Sequence, residues 1–255
     1  MTSENNDTPN LRTISLLRDK VVDWKTYPFN IPIIQNLTDF SISNRICFFA
    51  GENGSGKSTL LEGIAEHCGF NKEGGSKNIS YKSNAKVADT ASYLADFLRL
   101  SWSKKILHGY FLRAESFFNV ATYLDELQKV DGQALRGYGN NSLHRQSHGE
   151  AFLSLLRHRF SGRGFYLLDE PEAALSPQRQ LSFMIMLHET LNRHKEAQFI
   201  IATHSPILLA YPGAQIISFD NSQIEEITYK ETAAFQITSS FLANPQSFFY
   251  HMFNQ

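Results

Sequence analysis

The chain has 255 residues, 24 Lys plus Arg against 25 Asp plus Glu, a net charge of −1 at pH 7 and a hydrophobic fraction of 42%. It can bury its own core as one large α/β domain or two small ones. Its balanced charge argues against strong whole-molecule attraction to nucleic acid or anionic lipid, although a local patch could exist. Cys47 and Cys68, the two cysteines, read as free thiols of a reducing compartment rather than a structural disulfide. The start MTSENNDTPNLRT lacks the basic-then-apolar order of a secretory signal. No apolar run has the length that crosses a bilayer. A soluble cytoplasmic protein is the expectation.

In chain order, a polar tip gives way to Ile14 to Val22, an edge strand or short helix, and then to Phe40 to Ala50, whose β-branched and aromatic residues predict a strand. Thr59 to Cys68 has helical spacing, so this region reads as strand, glycine-rich turn and helix. Residues 71 to 90 read as loops around a short strand. ASYLADFLRLSWSK predicts a helix, LHGYFLRA (Leu107 to Ala114) a strand, FFNVATYLDELQKV a helix, and DGQALRGYGNNSLHRQ a long polar connection. After a helix from Glu150 to Phe160 come the apolar strand GFYLLDE, a helix around Leu181 to Arg193 and the apolar strand AQFIIATHS. AQIISFD and IEEITY extend the sheet. Alternating strands and helices predict an α/β fold, a parallel or mixed sheet flanked by helices. One domain is expected over 11–255, with 90–160 as an approximate helical region within it.

GENGSGKST, Gly51 to Thr59, is a complete G-x-x-x-x-G-K-[ST] phosphate-binding loop with a strand before it and a helix after it. Glycines allow backbone N–H groups to converge on phosphate oxygens, and the helix N-terminus adds partial positive charge. Lys57 is expected on the β and γ phosphates of a nucleotide and the Ser58 hydroxyl on Mg²⁺. Asn53, Gly54, Ser55, Gly56 and Thr59 complete the candidate nucleotide-binding set.

FYLLDEPE places Asp169 and Glu170 beyond a run suited to a central strand, and the carboxyl ends of strands are where open α/β sheets bind ligands. Asp169 fits support of Mg²⁺, and Glu170 fits orientation or deprotonation of an attacking water. Glu172 reads equally as the start of the next turn. In IIATHSP, His204 ends a buried strand immediately before a proline-directed turn, where it can meet a γ-phosphate or its attacking water.

With these motifs in this order the chain resembles an ABC-type ATPase head, similar to compact bacterial ATPases of the AAA group and to the heads of DNA-repair and chromosome-maintenance ATPases. GENGSGKST resembles their Walker A segment, FYLLDEPE Walker B with its catalytic glutamate, AALSP the D-loop and ATHSP the switch-histidine loop, over roughly Ile31 to Tyr229. The resemblance implies a P-loop NTPase fold with a small helical signature lobe, ATP and Mg²⁺ as cofactors, and ATP held between two heads placed head to tail. QSHGE resembles the family's signature loop, with Ser147, Gly149 and Glu150 at its serine, second glycine and last polar position. Gln146 and His148 depart from the pattern, and Ser147 to Glu150 also has the form of a helix capping box. Ser176 corresponds to the D-loop serine. The usual Q-loop glutamine is absent; Glu115 stands in its interval and either meets Mg²⁺ or water or pairs with Arg113. Tyr27 and Phe29 are candidates to stack on a base, or are core. Only about 90 residues separate Lys57 from Ser147, too few for the long coiled coil of the repair and chromosome-maintenance relatives.

These features predict an enzyme, an ATPase forming an ATP-dependent homodimer with composite sites. The catalytic candidates are Lys57, Glu170 and His204, the metal candidates Ser58 and Asp169, and the partner's Ser147 and Gly149 complete the phosphate cradle. Nucleic-acid maintenance or defence, a subunit serving a separate membrane partner, and an ATP-timed signalling or scaffold protein remain the functional alternatives.

Overall fold

The structure, a computed structural model, describes residues 8–71, 74–75, 90–115, 117, 148–160 and 162–254. Most of the loop region expected over 71–90, the predicted helix and polar connection from 118 to 146, and Ser147 lie outside the described residues. In chain order the first elements are strand β1 (Leu11–Leu16), a 3₁₀ turn (Arg18–Lys20), helix α1 (Pro32–Gln35), and strands β2 (Phe40–Ser41) and β3 (Ile46–Ala50). Helix α2 (Lys57–His67), α3 (Thr90–Ala95), β4 (Leu98–Trp102) and β5 (Gly109–Arg113) follow. Next come α4 (His148–Arg159), β6 (Phe165–Asp169), a 3₁₀ turn (Pro171–Ala174), α5 (Pro177–Arg193) and β7 (Gln198–Thr203). The chain continues through α6 (Pro206–Leu209), β8 (Gln215–Ser218), β9 (Glu225–Glu226), α7 (Ala233–Ala243) and α8 (Pro245–Phe253).

Among the described residues the main sheet has the order β5-β6-β7-β3-β8-β9, parallel from β5 to β8 and closed by the antiparallel β9. Its central strands are buried at every position, as expected of a sheet covered on both faces. Alternate residues divide between two cores. Phe48, Tyr166, Leu168, Phe199 and Ile201 pack with Phe152, Leu155 and Leu156 of α4 and Phe183 and Leu187 of α5. Cys47, Phe49, Leu167, Ile200 and Ala202 face the opposite way, toward Leu60, Leu61 and Ile64 of α2. Each fully buried side chain of this size stabilises the fold by about 1.5–3 kcal/mol relative to exposure.

A second sheet, β2-β1-β4, is antiparallel and contributes Leu11, Ile14 and Leu98 to the α2 side. Gln198, at the start of β7, joins the two sheets. It is fully buried, accepts from the Asn10 and Leu11 N–H groups at 3.0 and 2.8 Å, and donates to the Leu11 carbonyl at 3.0 Å.

Three expectations are corrected. The helix expected across ASYLADFLRLSWSK ends at Ala95, and Leu98–Trp102 is a strand paired with β1. Pairing in this sheet gives those residues alternate burial, with Leu98 facing the core and Arg99 outward, so tertiary contact overrides the helical pattern. The single strand expected from Phe40 to Ala50 is two, in different sheets, separated by Ile42 to Arg45. The segment from Ile14 divides into the end of β1 and the 3₁₀ turn. Neither Cys47 nor Cys68 is in a disulfide. Among the described residues no helix is long and apolar enough to cross a membrane. At the chain's end α7 and α8 leave Leu242, Tyr250, Met252 and Phe253 exposed.

Candidate functional site

Parallel pairing sets the site. Ala50 lies opposite Thr203, Asp169 opposite Ala202 and Arg113 opposite Asp169, so the carboxyl ends of β3, β5, β6 and β7 finish at one level. The glycine-rich loop leaves β3 there, Glu170 leaves β6 and His204 leaves β7. This is the edge at which open α/β sheets receive ligands.

The loop owes its course to glycine. Gly56 takes φ +96°, a left-handed conformation disfavoured for L-residues, and a Cβ there would stand 2.4 Å from Ile33 Cγ2 of α1. Gly54 also takes positive φ but has open space around its missing Cβ. Lys57 is buried and curls back on the loop. Its Nζ donates to the carbonyls of Gly51 (2.8 Å) and Glu52 (2.7 Å) and lies 3.4 Å from Ser55 Oγ. Burial lowers its pKa, opposed by the charges of Glu170, Asp169, Asp220 and Glu172. Asn53 is at the exposed tip of the loop.

Ser58 Oγ donates to Asp169 Oδ1 at 2.8 Å, joining the start of α2 to the end of β6. Asp169 is buried, and desolvation raises its pKa to about 6 against the lowering effects of the Ser58 hydrogen bond and Arg113. Arg113 Nε is 3.5 Å from Asp169 Oδ2, and its Nη1 is 2.7 Å from Glu62 Oε1 on α2. Burial raises Glu62 to about 7 despite that arginine.

Glu170 has φ +47°, ψ +52°, an uncommon backbone for a non-glycine residue, with its N–H donated to the Ala202 carbonyl at 2.9 Å. The turn aims its carboxylate back over the strand ends, with Oε1 3.8 Å from His204 Nδ1. His204 is half-exposed. The Glu172 side chain is largely buried and faces the same histidine, its Oε1 3.3 Å from Nδ1.

The structure thus brings Lys57, Ser58, Asp169, Glu170 and His204 to one edge. Gly149 sits near the start of α4, buried, where a Cβ would stand 2.5 Å from Arg179 Nη1 and 3.1 Å from the Ala174 carbonyl oxygen. Glu150 Oε1 pairs with Arg179 Nη2 at 3.1 Å. Ser176 caps α5 with its backbone, accepting from the Gln180 N–H at 2.9 Å. Glu115 is exposed and pairs with Arg113 at 3.6 Å. Phe29 is core, edge-on to Trp24 and Phe97, whereas Tyr27 is exposed with its hydroxyl 3.3 Å from Thr59 Oγ1.

Three further residues of this edge belong to none of the sequence motifs. Glu62 is one turn beyond Ser58 on α2, a spacing that puts both on one helix face. Arg113, in sequence a candidate partner of Glu115, also reaches Asp169 and Glu62. Asp220, at the end of AQIISFD, accepts from the Glu52 N–H at 3.1 Å and braces the loop.

The donor set suits a nucleotide with Mg²⁺. Among the described residues no cluster of three or more His, Cys, Asp or Glu side chains is arranged to hold a metal unaided. Mg²⁺ requires none, since it is bound through one or two protein oxygens with phosphates and water. Ser58 Oγ and Asp169 Oδ1, in contact beside a buried lysine, are oxygens of the kind that could do so.

Residues 150–210 match the family described as "AAA domain, putative AbiEii toxin, Type IV TA system". Over 180 residues the chain is 28% identical to the Zinc import ATP-binding protein ZnuC 1 of Aliivibrio fischeri, an alignment covering 70% of this chain and 66% of that protein. An ATP-binding cassette of an ABC transporter matches with a TM-score of 0.50 and 17% identity, over 94% of this chain and 97% of its own. The SMC head domain from Thermotoga maritima matches at a TM-score of 0.43 and 16% identity over 86% and 98%, too loosely to bear on the fold.

Proposed function

We propose, from the premise that the chain has the fold of an ABC-type ATPase head, that it binds ATP with Mg²⁺ and hydrolyses it, and that two chains pair head to tail around the nucleotide. The observation that carries this reading is the Ser58–Asp169 contact beside Lys57, with Glu170 and His204 on the adjoining strand ends. Lys57 releases its loop carbonyls to neutralise β/γ-phosphate charge. The loop amides and the N-terminus of α2 take the phosphate oxygens.

Ser58 and Asp169 would hold Mg²⁺, which would supply neutralisation of phosphate charge. Glu170 orients the attacking water or takes its proton, and His204 donates to the γ-phosphate. Ser147 and Gly149 come from the facing chain, and Ser176 relays between sites. Most of this catalysis is positioning and electrostatics.

Sizing of Glu170→Gln with ATP and Mg²⁺ tests the proposal. A stable nucleotide-dependent dimer with turnover abolished is expected; a persistent monomer or undiminished turnover overturns it.

The likeness to a zinc-import ATP-binding protein favours a second reading, a subunit that drives a separate membrane protein. Co-purification with an integral membrane protein supports it. ATP-stimulated DNA or RNA binding that weakens steeply with salt supports nucleic-acid maintenance or defence instead.

A further inference from the structure

Glu172 lies on the 3₁₀ turn after β6, with its side chain 7% exposed. Its Oε1 accepts from the Thr203 hydroxyl at 2.6 Å and from the His204 backbone N–H at 2.8 Å, and His204 Nδ1 is 3.3 Å from the same oxygen. The Thr203 hydroxyl in turn accepts from the Ser205 N–H at 3.0 Å. One carboxylate oxygen therefore organises three consecutive residues at the end of β7. The other oxygen, Oε2, is buried with no hydrogen-bond partner among the described residues.

A buried carboxylate that leaves an acceptor unused costs the fold free energy. An apolar side chain would pack in the same space without that cost. What the carboxylate alone supplies is acceptors for the His204 loop, and the other carboxylate near the ring, Glu170, stands farther off at 3.8 Å. We propose that Glu172 is the positioning residue for His204, fixing the backbone and ring so that the imidazole meets the γ-phosphate while Glu170 remains free to act on water. The proposal rests on the reading of His204 as a γ-phosphate contact.

The full-length chain tests this by steady-state ATP turnover of the wild type, Glu172→Ala, Glu172→Gln, His204→Ala and the double variant Glu172→Ala/His204→Ala. Glu172→Ala is expected to lower kcat about a hundredfold, the size of removing one positioned hydrogen-bonding group. KM should scarcely change, because the Lys57 loop is untouched. The double variant should be no slower than His204→Ala alone, since the two residues act as one unit. Glu172→Gln keeps an oxygen acceptor and should recover part of the loss; it also replaces Glu172→Ala in the comparison if the alanine variant does not fold. Additive losses, or an unchanged kcat, overturn the proposal.

Hydrogen exchange at the His204 amide without nucleotide supplies a readout independent of turnover. It should quicken at least tenfold when the carboxylate is removed, with β6 core amides unchanged; equal exchange overturns the proposal. A wild type that hydrolyses no ATP defeats the ATPase reading, and the exchange result still decides whether Glu172 holds His204.

Discussion

Arg113 and Asp169 are register partners across the β5–β6 ladder, and the guanidinium Nε is 3.5 Å from the carboxylate Oδ2. Arginine thus stands behind the carboxylate proposed to hold Mg²⁺, opposing the effect of burial on its ionisation. Replacement by methionine should raise the Asp169 pKa further above about 6. Mg²⁺-dependent turnover of Arg113→Met is expected to fall several-fold at pH 7 and to recover toward pH 8.5. Equal pH profiles for the variant and the wild type would remove Arg113 from this role.

In the wild type, the proposed binding of Mg²⁺ at Asp169 needs the ionised carboxylate, which forms as pH rises through about 6. Apparent Mg²⁺ affinity, measured by titration at fixed nucleotide, should be nearly flat above that pH and fall about tenfold per unit below it.

Glu62, raised by burial to about 7, makes an opposite demand on stability. A carboxyl whose folded pKa exceeds its unfolded pKa contributes stability that is full below the unfolded value and is lost as pH rises through the folded one. This group should make the nucleotide-free protein about 1–3 kcal/mol more resistant to unfolding at pH 4 than at pH 8, other groups aside. Thermal melts of Glu62→Gln across that range should show a flatter profile than the wild type.

Two loop glycines with positive φ separate strain from collision. Gly54→Ala adds a Cβ in open space at φ +82°, and the conformational cost alone is about 1–2 kcal/mol. Gly56→Ala adds to that a contact of 2.4 Å with Ile33, so a total loss of about 3 kcal/mol or more is expected. Urea unfolding of the nucleotide-free variants compares them directly.

Gly149, near the start of α4, makes a similar close approach. Gly149→Ala must displace Arg179, whose Cδ would be 2.8 Å and Nη1 2.5 Å from the new methyl, and must ease away from the Ala174 carbonyl. A loss of about 1–3 kcal/mol in denaturant unfolding is expected. Nucleotide binding to the isolated chain should persist, because the Lys57 loop lies on different elements.

The sequence by itself determined the sheet's central strands and the loop chemistry. Runs such as FYLL and FIIA are apolar at every position and admit few places other than a covered parallel sheet. The motif from Gly51 to Thr59 carries its own geometry, because only glycine takes its backbone turns freely. Local pattern also placed Asp169, Glu170 and His204 at strand ends.

Tertiary structure alone decided which strand ends are neighbours, and with that the partners of each charge. β5, β6 and β7 follow one another in the sheet, but β3 lies beyond β7, so Thr203 meets Ala50 from far along the chain. Strand order likewise set Arg113 against Asp169, and β4 took its form from pairing with β1 rather than from its own spacing. Glu172 shows the limit most plainly. In sequence it is one acid in a turn; folded, it is buried against Thr203 and His204, and burial turns a solvated carboxylate into one whose hydrogen bonds fix a neighbouring strand end.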